Sequence, residues 1–153
     1  MIAEKPYKDI NQVMDGIRTQ IIDSVDYCYS RFSGFTDPRE LFAYLKQITT
    51  YVPDPERIEL LQTAQTLFEN NYHGTPGAGD CDCFTILAHA CFIANGFGVS
   101  SIVLTGRDPR LPVHIYSVVK KGSQVHIFDL TNPFIDMERF YPYKQVLPIK
   151  FHK

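Results

Sequence analysis

Tryptophan is missing from this 153-residue chain, so aromatic packing falls to its 11 Phe and 9 Tyr. Long apolar runs are missing too. No stretch approaches the ~20 apolar residues that a bilayer span needs, so no membrane partner is expected. Residues 1–7 mix acidic and basic side chains and lack the apolar core of a secretory leader, which leads to the expectation of a cytoplasmic protein. Lys and Arg form no block, and the formal net charge is −2, which gives no electrostatic basis for binding nucleic acid. The Lys120-Lys121 pair reads as a polar hairpin end. Repeats and low-complexity tracts are absent, and a single domain spanning 1–153 is expected, within the usual range of roughly 100–200 residues per domain.

Cofactor and metal motifs are also lacking. No Gly-x4-Gly-Lys phosphate loop occurs. Cys81-x-Cys83 with His73 or His89 has neither the zinc spacing nor a second pair. Asp54, Asp80 and Asp82 do not follow a calcium-loop pattern. No cofactor and no metal are expected. The four cysteines, Cys28, Cys81, Cys83 and Cys91, lack the export signal that accompanies disulfide frameworks, so reduced thiols are expected.

The first half of the chain has helical periodicity. Over 8–32, Ile10, Val13, Met14, Ile17, Ile21, Val25, Cys28 and Phe32 recur at steps of three and four. Gly34 can end that helix. Thr36 or Asp37 can cap the next, with Pro38 in its first turn and Leu41, Phe42, Leu45 and Ile48 as its buried stripe. Asp54-Pro55 repeats the cap-plus-proline signal and predicts a third helix carrying Ile58, Leu61, Ala64, Leu67 and Phe68. Residues 73–79 are rich in breakers and predict a flexible loop. A helix apolar on most sides follows over 80–94, closed by Asn95-Gly96, and is expected to be the central buried one. The period then changes. Strands are expected over 99–104, 113–119 and 125–130, with a tight turn at Lys121-Gly122 and an edge strand over 146–151. Helices first and an antiparallel sheet second predict an α+β fold.

One constellation carries chemistry. Cys81 falls where a glycine loop turns into the buried helix, and the positive end of a helix dipole favours the reactive thiolate. Asp80 and Asp82 oppose that effect, so a nearby imidazolium is needed. His114 and Asp129 stand on neighbouring hairpin strands at matching distances from the Lys121-Gly122 turn, so their side chains can pair. An Asp on one imidazole nitrogen fixes the tautomer and turns the other nitrogen to the thiol. Each residue also has a plainer reading. Cys81 can be a small buried apolar residue, His114 a strand histidine bonded to a carboxylate, and Asp129 a turn former before Thr131-Asn132-Pro133. His126 alternates away from Asp129. His89 is expected to satisfy a polar neighbour in the core, and His73 to be solvated. Cys28, Cys83 and Cys91 read as packing residues.

The segment 79–97, opening Gly79-Asp80-Cys81-Asp82-Cys83, resembles the nucleophile helix of transglutaminase-like proteins. Val113-His114-Ile115-Tyr116 is similar to the family's histidine strand, and His126-Ile127-Phe128-Asp129-Leu130-Thr131 to its aspartate strand. Tyr51-Val52-Pro53-Asp54-Pro55 with Glu59 resembles the lead-in of short bacterial and phage members. The resemblance covers about residues 51–131. It implies a papain-like core there, a helical part over 1–50 and a C-terminal extension over 132–153. It also implies acyl transfer on a peptide or protein amide. Cys81 would attack the carbonyl, His114 move the proton, Asp129 orient His114, and the Cys81 backbone N–H help hold the oxyanion. Tyr72 and His73 are candidates for a second oxyanion donor. The chain departs from the family where Cys83 replaces a common Asp and Tyr116 replaces a common Trp. Hydrolysis by a cysteine peptidase or amidase, transamidation, peptidoglycan-peptide hydrolysis and a non-catalytic phage-associated module all stay open. The phage resemblance adds a virion as a possible location. Substrate and oligomeric state are not legible.

Overall fold

The computed structural model describes residues 2–6, 10–54, 58–107 and 112–149. The three-and-four spacing of the first segment becomes helix α1, Ile10–Arg31. Its stripe, from Val13 and Met14 through Ile17 and Ile21 to Cys28, is buried. Asp37 caps α2, Pro38–Ile48, by accepting from the Arg39 N–H, with proline in the first turn. Asp80 caps the central helix α4, Cys81–Ala94, which is buried at nearly every position from Asp82 to Phe92. A helix apolar all round must sit between layers, and α4 does. One apolar cluster joins it to α2, the end of α1 and Phe128; another joins Ile86 to Ile17, Ile102 and Ile115.

The third helix expected after Asp54-Pro55 is replaced by a strand and a shorter helix. Residues 55–57 lie outside the described set. Ile58–Gln62 is a strand, here β3, antiparallel to β1 at Ile2–Pro6, which the periodicity did not reveal. Thr63 then caps the short helix α3, Ala64–Glu69, accepting from the Thr66 N–H. A spacing of three across Ile58, Leu61, Ala64 and Leu67 fits one helix, but tertiary pairing overrides it. The two-residue strands β2, Thr50–Tyr51, and β4, Ala78–Gly79, pair in parallel.

The main sheet is antiparallel, in the order β7-β6-β5-β8. Its strands are β5 at Ser100–Gly106, β6 at Pro112–Lys121, β7 at Gln124–Phe128 and β8 at Tyr143–Ile149. The chain is therefore α+β, as its order of periods implies. Lys121 pairs with Gln124, so the hairpin turn is Gly122-Ser123, one residue later than expected. The last strand begins earlier than expected, at Tyr143, and Phe151 lies outside the described residues. Alternation puts Ile115, Ser117 and Val119 on the sheet face toward α4, and His114 and Tyr116 on the other. Among the described residues no helix is long and apolar enough to cross a membrane.

Candidate active site

The segment leading to Cys81 was expected to be flexible, yet its second half is tied down on several sides. The Gly77 N–H donates to the Leu67 carbonyl at 2.8 Å, and the Gly77 carbonyl accepts from the Thr50 N–H at 2.9 Å. The Val52 N–H donates to the Gly79 carbonyl at 2.8 Å. The buried Gln62 amide donates to the Ala78 carbonyl at 3.2 Å and accepts from the Tyr72 N–H at 3.1 Å. Asn71 adds a 2.7 Å bond to the same carbonyl. Gln62 is a bracing residue that the sequence pattern did not reveal, because its partners come from three different segments.

Asp80 accepts from the N–H groups of Asp82 at 3.1 Å and Cys83 at 3.4 Å, which fixes the first turn of α4. Cys81 is the first residue of that helix and only half-buried, while Cys28, Cys83 and Cys91 are buried. Burial pushes the Cys83 thiol well up, and the Asp80 charge adds to it. Burial, then the Cys28 thiol beside it, raises Cys91 likewise. Cys81 is thus the half-exposed thiol at a helix N-terminus, the place where a thiolate is best stabilised.

Asp54, Asp80 and Asp82 bring carboxylate oxygens within 4.8 Å of one another. Burial, then the charges of Asp82 and Asp54 and a hydrogen bond with Asp54, push the Asp80 carboxyl up to about 9. At neutral pH Asp80 therefore carries a proton, which removes one of the two flanking charges that oppose a Cys81 thiolate. These are the described residues closest to a cation-binding arrangement. His73, expected to be solvated, stands largely buried with Nε2 4.0 Å from Asp54 Oδ1.

His114 and Asp129 come together. His114 Nε2 lies 2.6 Å from Asp129 Oδ2, with side chains 6% and 3% exposed. The pairing is diagonal: continuing the Ser117–Phe128 register sets Asp129 opposite Tyr116, with His114 the next residue on the same face. Asp129 also forms the turn read as its alternative role. Its Oδ1 accepts from the Thr131 N–H at 3.0 Å and the Thr131 hydroxyl at 2.7 Å. Burial works to raise this carboxyl, but the bonds from His114 and Thr131 outweigh it and leave it lowered. Tyr116 and Tyr141 flank the His114 ring, with centroids 5.7 Å and 6.5 Å away.

Asn132, Glu138 and Tyr141, from the segment after β7, reach this face of the sheet and supply groups that sequence reasoning missed. The Asn132 amide donates to Asp129 Oδ2 at 3.3 Å and to the Met137 carbonyl at 2.9 Å. Arg139 Nε donates to Asn132 Oδ1 at 3.1 Å. The Tyr116 hydroxyl donates to Glu138, which Lys144 also pairs at 2.8 Å. Thr131-Asn132-Pro133 read only as a strand breaker, and the charged residues beyond it had no recognisable spacing.

The remaining histidines follow their expected roles. His89 Nδ1 meets the Ser100 hydroxyl at 3.0 Å in the core, and His126 Nδ1 lies 3.1 Å from Asp136 on the opposite face from Asp129. The backbone N–H groups of Tyr72 and His73 are engaged by Gln62 and by Asn71 at 2.7 Å, so neither supplies the second oxyanion amide. The loop before His114, at 108–111, lies outside the described residues. A groove of about 470 Å³ lined by Thr36, Pro38, Lys121 and Gln124 sits at the hairpin tip, the far end of β6 from His114.

No family model matches the chain, and neither the curated proteins nor the solved structures yielded a match.

Proposed function

We propose that this protein is a thiol-dependent acyltransferase of the transglutaminase-like type, with a papain-like core and Cys81, His114 and Asp129 as its triad. The observation that carries the reading is the buried 2.6 Å pair of His114 and Asp129, in a protein whose half-exposed thiol opens the central helix. Asp129 occupies Nε2, so Nδ1 is the nitrogen left for proton transfer. In this reading His114 takes the Cys81 proton and the thiolate attacks the amide carbonyl. The N-terminal end of α4 stabilises the oxyanion. Collapse of the tetrahedral intermediate breaks the C–N bond, and His114 returns the proton to the leaving amine. Water then cleaves the thioester to an acid, or a second amine captures it as a new amide. Both routes regenerate the thiol.

Mass spectrometry on a mixed set of peptides tests this, with glutamine-bearing and peptidoglycan-type stem peptides included and a primary amine added or withheld. Peptide-bond cleavage, conversion of a side-chain amide to an acid, or incorporation of the amine is expected, and Cys81→Ala should abolish it. Turnover that survives in Cys81→Ala would contradict the assignment.

One observation favours a second reading, a non-catalytic interaction module that keeps these residues. Ile115, not His114, is the β6 residue in the apolar cluster against which Cys81 packs. In that case Cys81 is a core residue, and wild type and Cys81→Ala behave alike in every assay of thiol chemistry.

A further inference from the structure

We propose that Arg139 is the specificity-determining residue of this site, and that it selects acyl donors carrying a carboxylate beside the reacting amide. The inference rests on the acyl-transfer reading above and adds a substrate class to it. Arg139 is exposed, but its guanidinium is not loose. Nε is held by Asn132 at 3.1 Å, Asn132 holds Asp129 at 3.3 Å, and Asp129 holds His114 at 2.6 Å. One relay of hydrogen bonds therefore sets the guanidinium relative to the imidazole. With Nε engaged, the two terminal nitrogens remain to present a planar fork, the geometry that receives a carboxylate in two parallel bonds.

Nearby acids do not use that fork. Glu138 is taken by Lys144 and Tyr116, and Asp136 by His126. Among the described residues Arg139 forms no ion pair. Its charge and that of Cys81 act on one common neighbour, the Tyr51 hydroxyl. The Tyr51 hydroxyl is raised mainly by burial and then by the Cys81 and Asp80 charges, and Arg139 acts on the same hydroxyl in the opposite sense. Tyr51 itself is 54% exposed. An anionic donor needs a fixed cation to orient it, and Arg139, tied to His114 through Asn132 and Asp129, supplies one.

Two alkylating reagents of nearly equal size test the idea without a known substrate. Iodoacetate carries the carboxylate and iodoacetamide does not. Rates of Cys81 modification on the full chain are measured by peptide mapping, and their ratio is compared with that of a small free thiol. Wild type should favour iodoacetate relative to that reference. Arg139→Gln should lower the ratio about fivefold, the upper range for an exposed ion pair. Raised salt should shrink the wild-type preference, and Arg139→Lys, which keeps the charge but loses the fork and the bond to Asn132, should retain only part of it. An unchanged ratio in Arg139→Gln, with Cys81 still reactive, overturns the role of Arg139 and leaves the acyl-transfer reading intact. Equal slowing of both reagents overturns it as well, and assigns Arg139 to bracing His114 through Asn132. If neither reagent modifies Cys81 in wild type, both the acyl-transfer reading and this inference fail.

Discussion

Gly77 and Gly74 form a matched pair for measuring what holds the Cys81 loop in place. Both have left-handed backbones, with φ of 83° and 77°. An alanine methyl at Gly74 would meet nothing within 4 Å, whereas one at Gly77 would lie 1.9 Å from the Ile48 carbonyl oxygen. The left-handed conformation costs an alanine about 1–2 kcal/mol at either position. At Gly74 that is the whole effect. At Gly77 the obstacle is backbone at the end of α2, which cannot rotate aside. Relief means moving the loop away, which strains or breaks the 2.9 Å bond from the Thr50 N–H. Overpacking of this kind adds about 1–3 kcal/mol, and the lost hydrogen bond about 1 kcal/mol. Gly74→Ala should therefore lose about 1–2 kcal/mol in all, and Gly77→Ala about 3–6 kcal/mol. With a urea m-value of about 2 kcal/mol per molar, the midpoints should fall by roughly 0.5–1 M and 1.5–3 M. Urea unfolding followed by circular dichroism measures both. Because the loop delivers Cys81, Gly77→Ala should also change thiol reactivity more than Gly74→Ala does. Equal stability losses in the two variants would refute the claim that close backbone packing fixes this loop.

Three further outcomes are expected. Titration of the native protein with a thiol reagent should show one fast cysteine, assigned to Cys81 by mapping, with Cys28, Cys83 and Cys91 reacting only on unfolding; a fast Cys83 would contradict its burial. The Asp80 carboxyl is raised in the fold, so its contribution to stability is full below the ordinary carboxyl value of 3.8 and is lost as pH climbs toward about 9. Asp80→Asn keeps the helix cap and should flatten the fall in stability between about pH 5 and pH 8; a profile parallel to wild type would count against a protonated Asp80. Asp129→Ala strips acceptors from the His114 ring and from Thr131 and should cost about 2–4 kcal/mol near neutral pH. Asp129 is lowered in the fold, so that deficit should vanish as pH falls below the ordinary carboxyl value of 3.8. A deficit that persists in acid would contradict the ionised pair.

Local pattern carried much of the fold. The stripe from Val13 to Cys28, the Asp37-Pro38 cap and the all-round apolar run after Asp80 each specify a helix through neighbours three or four residues away. The hairpin was legible for the same reason, since alternation and a glycine turn are local signals, and its turn was misplaced by one residue. What stayed hidden depends on distant partners. Ile58–Gln62 is a strand because Ile2–Pro6 lies beside it, and no window around Ile58 contains that information. Of the candidate site, the place of Cys81 at the start of α4 and the pairing of His114 with Asp129 were legible from element types and order. Asp54 beside Asp80, Gln62 beneath the loop, and the Asn132–Arg139 relay were not. Their partners converge only after the sheet and α4 have packed, and the segment carrying Asn132 and Arg139 looked like an appendage to the core.

The central claim is that His114 and Cys81 act as a pair. The rate of Cys81 alkylation by iodoacetamide, followed against pH in wild type and in His114→Ala, tests it most directly. Wild type should react well below pH 8.5, the ordinary thiol value of about 8.5 being lowered by a facing imidazolium, and His114→Ala should move the profile back toward that value. Identical profiles in the two proteins would contradict the pairing and with it the proposed triad.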